Sequence, residues 1–479
     1  MSNLVLFLVV ALPRTIYIWL TDQTAGDTWL YLRVSENILR GCGFSASVDP
    51  VNCEPIVGGY FPAYPYLLAA LQFIGLTEKG MALFIGACFA LSILYLRKAL
   101  ELTTQNSKIS LGIALLVGLS PLTLGWSRFL LIEPVMTIFS VLLLAQVMVL
   151  WHTRKRRDVW IATVILAIAT YFKPTSVLFV APFTITLVYI FGAKQSLKPI
   201  VFSAFSLAIA ILPWELRNHT LSGQSVFNGQ SNIWPSSKSY GAWVHSWSIT
   251  EYERAYAIFP IFAENLQKIE IKENPFLSRE EADNAVALIQ EHSLDHTKWN
   301  HSIDEKFEEL LELKQASTSL PSLLGLRASQ MVSLVLHPAN SWGFPISLNA
   351  KKEIQRDLNI LGYSVDANVL SLMLAKGLLF LYRLALLGLL GLLIYQLIRG
   401  FIAPRLSKKD VQRQNRFQLV NDNFLRFLFI ASSSLLVATL MLFVLLLSGL
   451  EHRYLSPVML WLEVTVAYWI LSAHSKTKQ

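Results

Sequence analysis

The chain has 479 residues, 54% of them hydrophobic and only 15% charged, with a mean hydropathy of +0.47. Soluble globular proteins are about 45–50% apolar and about 25% charged, so this composition excludes a disordered, nucleic-acid-binding or ordinary cytosolic protein. The formal charge of +8 hides two opposed populations: residues 216–370 hold 13 Lys and Arg against 18 Asp and Glu, while the rest holds 27 against 14.

Apolar residues arrive in long blocks, such as 136–151, 371–398 and 427–450. Crossing a hydrocarbon core takes roughly 20 residues as a helix. A membrane β-barrel would instead show alternating segments of about ten residues, and none dominates. The fold class is therefore an all-α polytopic membrane protein, with the lipid bilayer as its first partner. Basic residues concentrate in short loops at Arg97, Lys98 and Lys108, at Arg154 to Arg157, at Lys194 and Lys198, and at Arg405, Lys408, Lys409, Arg413 and Arg416. An excess of Lys and Arg marks cytoplasmic loops, so neither a polyanion nor a nucleic-acid partner is implied.

In that frame about ten spans are expected, near 3–20, 80–96, 109–125, 130–151, 159–172, 176–192, 199–214, 371–398, 427–449 and 456–472. Both termini and every basic loop then lie on the cytoplasmic side of a cell (inner or plasma) membrane, with the active site on the external, periplasmic side. The fifth span is short, and Lys173-Pro174 after it predicts two short helices meeting at the outer face. The first span reads as an anchor. A cleaved signal peptide ending near Thr24-Ala25-Gly26 is the alternative, against which stand an uncharged start and the Pro13-Arg14 interruption. On either reading residues 21–62 are external.

Three regions follow: a membrane block 1–214 containing the first external loop 21–62, an external (periplasmic) segment 215–370, and a second membrane block 371–479. Ser278 with Glu281 has the capping-box pattern and opens a charged helical stretch toward Gln315. Residues 323–336 are amphipathic, as in a helix lying on a membrane surface. Cys88 sits inside a span and reads as packing. Cys42 and Cys53 share the first external loop, where a disulfide in an oxidising compartment and two unpaired thiols both stand as readings.

Ionisable residues at span edges are costly and often functional. This topology gathers Asp27, Arg128, Glu133, Lys173, Arg217, Glu451, His452 and Arg453 on the outer face. Cations at a membrane surface suit a lipid phosphate, which arginine binds through two parallel hydrogen bonds. If the phosphate is a leaving group, the same cations stabilise its growing charge. One carboxylate then suffices as general base on an incoming hydroxyl. Plainer readings stand beside these. Arg14 would snorkel to the surface, Glu133 would be a solvated helix N-terminus, and Lys173, Arg217 and Arg453 would be interfacial anchors. Trp126, Trp214 and Trp234 read as an interface belt. His292, Asp295 and His296, with His301 nearby, have ligand-like spacing but lie in a densely charged stretch, and no metal site is assigned there. Gly58-Gly59 is a loop break, and no nucleotide-binding motif is present.

Several short motifs, in order, resemble a known family. Gly26-Asp27-Thr28-Trp29-Leu30-Tyr31, then Asn37-Ile38-Leu39-Arg40-Gly41, then Phe61-Pro62-Ala63-Tyr64-Pro65 resemble the first external loop of the GT-C glycosyltransferases. These polyprenyl-phosphate-sugar-dependent enzymes include protein mannosyltransferases and the aminoarabinose transferases of lipid A. Ser127-Arg128 through Glu133-Pro134 resembles their second acidic motif. Lys173-Pro174, Pro213-Trp214 with Arg217-Asn218, Gly223, and Arg453-Tyr454 with Pro457 resemble later signatures. The resemblance covers both membrane blocks. Many relatives carry two adjacent acidic residues in the first loop, where this chain has Gly26-Asp27, and often Asp where it has Glu133.

The resemblance implies a GT-C fold and an inverting glycosyltransferase. Its donor would be a polyprenyl-phosphate-linked sugar, and its acceptor a glycan, lipid or protein entering from outside. Asp27 would be the base, with Arg128 and Glu133 ordering the site. Tyr31, Lys173, Arg217, Asn218, His452, Arg453 and Tyr454 would bind substrate. No cofactor is assigned, and a divalent metal remains open. Two other classes compete. An O-antigen polymerase or ligase would use pyrophosphate-linked glycans, and a non-catalytic lipid-sugar transporter should carry polar residues mid-bilayer and often inverted repeats.

Overall fold

The computed structural model describes residues 1–20, 27–49, 52–58, 61–223, 225, 237–262, 266, 269–295, 299–336, 357–360, 363–402, 423–442 and 455–476. Helices occupy all ten expected apolar stretches. In the first half these are α1 (Asn3–Leu20), α4 (Glu78–Thr104), α5 (Ser107–Gly118), α7 (Ile132–Thr153), α8 (Arg156–Phe172), α9 (Val180–Phe191) behind a 3-10 turn at Pro174–Phe179, and α10 (Ala193–Ser222). The last three are α16 (Ala367–Ile402), α17 (Asn423–Met441) and α18 (Ser456–Lys476). Among the described residues, seven helical stretches are long and apolar enough to cross a membrane: 78–104, 132–153, 174–191, 193–222, 377–398, 423–441 and 456–473. The chain is a helical, multi-pass membrane protein.

α1, α5 and α8 fall outside these seven, and α5 departs most from expectation. The third stretch stops at Gly118 instead of running to 125, a length of about 18 Å at 1.5 Å per residue. Pro121 is the cause. Proline offers no N–H and disfavours helical backbone in the residue before it. Ser120 takes non-helical backbone and its hydroxyl accepts from Leu122 N at 3.2 Å, capping the four-residue α6 (Pro121–Leu124). The fifth stretch breaks where expected. Lys173 is extended (φ −148°, ψ 122°) and Pro174 opens the 3-10 turn.

α7 lies at the centre, with α4, α8 and α18 packed around it. α18 is equally interior. α1 meets α5 at close range, because a Cβ on Gly118 would stand 2.6 Å from Val10 Cγ2. α10 is peripheral and runs unbroken through residue 214, where the first membrane block was expected to end. Its exposed stripe of Leu197, Val201, Phe205, Ile209, Leu212 and Leu216 extends about 29 Å along the helix axis, close to the hydrocarbon thickness of about 30 Å.

The first loop contains α2 (Thr28–Leu39) and α3 (Ala63–Phe73). Between them Cys42 and Cys53 form a disulfide, and Ser45 pairs with Pro55 across the closed loop. The later segment holds α11 (Lys238–His245), α12 (Glu251–Phe262), α13 (Arg279–Asp295), α14 (His301–Ser317) and α15 (Leu320–Leu336). Its own core joins Tyr240, Trp243, Trp247, Trp299 and Phe307. The Ser278–Glu281 capping box is formed, with each residue's side chain bonded to the other's backbone N–H. The charged stretch toward Gln315 is two helices, since Asn300 starts α14 anew by accepting from Ile303 N. α15 turns 111° from α14. It buries Leu326, Gln330 and Leu334 and exposes Leu320, Leu324 and Val332, the amphipathic pattern expected of it. A two-stranded hairpin, β1 (Asp357–Ile360) with β2 (Tyr363–Asp366), is the one sheet among the described residues.

Candidate active site

The two proline-flanked breaks bring Glu133 and Lys173 together. Glu133 stands in the first turn of α7, where the helix dipole favours a carboxylate. It is not a solvated helix end, being only 2% exposed. Lys173 leaves α8 in extended backbone, and its Nζ lies 2.9 Å from Glu133 Oε1. The lysine side chain is 15% exposed, so the pair sits mostly inside the protein. It borders a small crevice whose apolar side is made by Met136, Leu178, Phe179, Leu435 and Val458.

The first loop and α3 approach this pair, through Tyr64 near Glu133 and Phe61 against Tyr171. Asp27 directly precedes α2, and its carbonyl accepts from Tyr31 N at 3.4 Å. Asp27 and Tyr31 are therefore one turn apart on one helix face. The Tyr31 ring meets the Tyr64 ring of α3 edge-on, with centroids 4.9 Å apart. Tyr64 is fully buried, and burial first, then the nearby Glu133 charge, pushes its phenol well up. Among the described residues its hydroxyl has no hydrogen-bond partner. A buried phenol beside a carboxylate with nothing to bond calls for an explanation.

Residues 125–131 form the wall behind Tyr31. Trp126, Phe129 and Leu131 pack with Tyr31 in one cluster. The Trp126 indole donates to Ser456 Oγ at 3.2 Å, so this tryptophan is buried packing and not interface belt. Arg128 is buried, with its charge near the Tyr17 hydroxyl of α1.

Arg217 belongs to a second group. Its Nη1 donates to Ile56 O at 2.8 Å and to Asn218 Oδ1 at 2.9 Å. The guanidinium lies 4.4 Å from the Trp214 ring centroid and 5.7 Å from that of Phe44. Trp214 is buried beneath it and meets Phe44 edge-on, which again is packing and not a belt. Asn218 is fully buried. Leu30, Val34, Phe44, Ile56, Phe61 and Trp214 make a small core that holds the first loop on the end of α10. Phe61 also touches Tyr171, two residues before Lys173. The loop thus bridges the Lys173 break and the Arg217 helix end.

His452, Arg453 and Tyr454, with Glu451 and Trp234, lie outside the described residues. Pro457, three residues after Tyr454, lines the crevice beside Glu133 and Lys173. Among the described residues no three His, Cys, Asp or Glu side chains are grouped to hold a metal ion.

Sequence reasoning misplaced Arg14 and passed over Glu463. Arg14 does not snorkel. It is 2% exposed, donates to Val10 O, Gly118 O and Thr123 Oγ1, and lies 4.0 Å from the Phe89 ring centroid. Glu463, on α18, is 1% exposed and accepts from the Tyr382 hydroxyl of α16. Their signal was a lone charge inside an apolar block. No family model matches the chain, and no curated protein or solved structure is similar to it.

Proposed function

We propose that this chain is an inverting glycosyltransferase that moves a sugar from a polyprenyl-phosphate donor to an acceptor hydroxyl on the outer side of the membrane. The observation that carries the reading is the buried Glu133–Lys173 pair bordering a crevice beside apolar helix faces, with the orphaned Tyr64 hydroxyl near Glu133 and the Asp27–Tyr31 helix turn joined to Tyr64 by ring contact. Within this proposal α1, α5 and α8 complete about ten crossings in a GT-C arrangement. The acceptor oxygen bonds to the anomeric carbon as that carbon's bond to the phosphate oxygen breaks. Asp27 takes the acceptor's proton, and the polyprenyl phosphate leaves with the bonding electrons. Little protonation of a phosphate leaving group is needed, which is why a second acid need not flank the bond, unlike hydrolysis between two sugars. Lys173, together with Arg217 and Arg453, holds the phosphate and stabilises its growing charge. Glu133 fixes Lys173, and Arg128 orders the wall behind Tyr31.

The test is incubation of the purified protein with a labelled polyprenyl-monophosphate sugar and a membrane extract. Transfer of label to an acceptor with release of polyprenyl monophosphate is expected. Use of pyrophosphate-linked glycans alone would move the chain to the polymerase and ligase class. Binding without transfer of either donor would leave transport.

A further inference from the structure

The break between α5 and α6 is held from two sides by charged residues of other helices. Arg14 spans it from α1. One guanidinium nitrogen donates to Gly118 O before the break and the other to Thr123 Oγ1 after it, at 2.7 Å. A helix C-terminus has carbonyls without partners and a partial negative charge, so an arginine there is matched to its place. On the other side, Tyr382 donates to Glu463, and the Ser120 hydroxyl stands beside both. Leu122 packs with Leu379, Leu386, Met459 and Leu462 of the same two helices. Six residues past Ser120, Trp126 is tied to the start of α18 through Ser456.

A merely structural seat would not need these groups. Non-helical backbone at membrane depth is tolerated only where protein covers it, and apolar side chains would do that. A buried polar network of this kind is often no more stabilising than a hydrophobic replacement of equal volume. What it adds is a fixed geometry. Glu133 lies thirteen positions after Ser120, and between Ser120 and the start of α7 at Ile132 the only helix is the one-turn α6. α18 starts at Ser456, and α16 leads in from the hairpin.

We infer that Glu463, with Tyr382 and Ser120, is a positioning group: it clamps the α5–α6 break to α16 and α18 and so sets where the Arg128–Glu133 segment stands against the start of α18. Arg14 is the opposing jaw. The catalytic consequence rests on the glycosyltransferase reading above, whereas the clamp itself does not.

The experiment therefore has two readouts. In a Cys88→Ser background, Ser127→Cys reports the exposure of the segment through its alkylation rate. Glu463→Leu should raise that rate roughly fivefold or more, as local opening does, at temperatures well below the variant's unfolding transition, which the unpartnered Tyr382 hydroxyl lowers. Tyr382→Phe should act in the same direction, and Glu463→Gln should restore slow alkylation because its amide oxygen still accepts from Tyr382. If the protein transfers sugar, Glu463→Leu should lower kcat roughly tenfold while donor KM changes little, since one lost orienting bond is worth about that much. Unchanged alkylation in Glu463→Leu and Tyr382→Phe would overturn the clamp. Faster alkylation with unchanged kcat would overturn its positioning role. Absence of any transfer by the wild type would sink the enzyme reading alone, leaving the alkylation rates to decide the clamp.

Discussion

Lys173 Nζ and Glu133 Oε1 stand 2.9 Å apart across two different proline-flanked breaks, and both side chains are largely withdrawn from solvent. Truncating one member of a buried pair leaves the other charge uncompensated, at a cost of about 3–5 kcal/mol, whereas replacing both by apolar groups is often neutral. Lys173→Met should therefore lower the unfolding temperature in detergent, and Lys173→Met with Glu133→Leu should recover most of it. Additive losses in the double variant would mean the two side chains are not energetically coupled.

Asp27 tests the proposed chemistry. Asp27→Asn keeps the size and loses the basicity, so turnover should fall by roughly 10²–10⁴ with donor binding retained. Glu133→Gln should hurt less, because it weakens the hold on Lys173 without removing the base. Near-normal transfer by Asp27→Asn would end the proposed role of Asp27. Equal collapse in both variants would point to paired carboxylates or a shared metal.

Arg14→Leu removes donors from Gly118 O and Thr123 Oγ1, both inside the bundle. Each group left unsatisfied costs about 1–3 kcal/mol, so this variant should be clearly less stable in detergent unfolding. A snorkelling arginine would have cost almost nothing, and unchanged stability would restore that view.

The Cys42–Cys53 disulfide closes the loop that presents Ile56 O to Arg217. Reduction should loosen that loop and speed tryptic cleavage after the exposed Arg40, which lies at the end of α2. Closing a short loop is worth about 2–3 kcal/mol, enough to raise cleavage rates by more than tenfold if opening precedes cutting. Equal cleavage with and without reductant would show that the loop's packing on Trp214 holds it unaided.

Glu281 gives a pH dependence with a definite sign. Partial burial pushes its carboxyl up, but hydrogen bonds from Lys314 and Ser278 outweigh that and hold it below the usual carboxylate range. A depressed carboxylate contributes stability that is complete above its unfolded value, about 4.3, and is lost as pH falls through the folded value. The amide protection of α13 and α14 should thus be flat near neutrality and fall in acid, more steeply than in Glu281→Gln. The same acid dependence in that variant would assign it to other groups.

Much of this architecture was legible because membrane helices announce themselves by hydropathy, and prolines and capping boxes mark their ends. Lys173-Pro174 and Ser278–Glu281 are both local signals, and both were realised. Ser120-Pro121 carried the same kind of signal, but the apolar run around it outweighed the break. Burial was the harder matter. Whether Arg14 or Glu463 faces lipid, water or protein depends on which helix lies opposite, and a single sequence does not contain that partner. The same holds for Trp126 and Trp214, whose composition suits an interface as well as a core. Tyr64 was visible within Pro62-Ala63-Tyr64-Pro65, yet its closeness to Glu133 depends on how α3 is placed against α7.

The apolar stripe of α10 ends at Leu216, and Arg217 follows it at once. The helix is therefore a ruler laid across the bilayer, with its mark just above the hydrocarbon. A stripe of fixed length meets a thicker or thinner membrane by tilting or by deforming the lipid around it. Either response shifts Arg217, and with it the first loop that Arg217 fastens through Ile56. The height of the loop over the lipid headgroups is thereby tied to membrane thickness, so vesicles of short-chain and long-chain lipids should tune this protein without any change in its sequence.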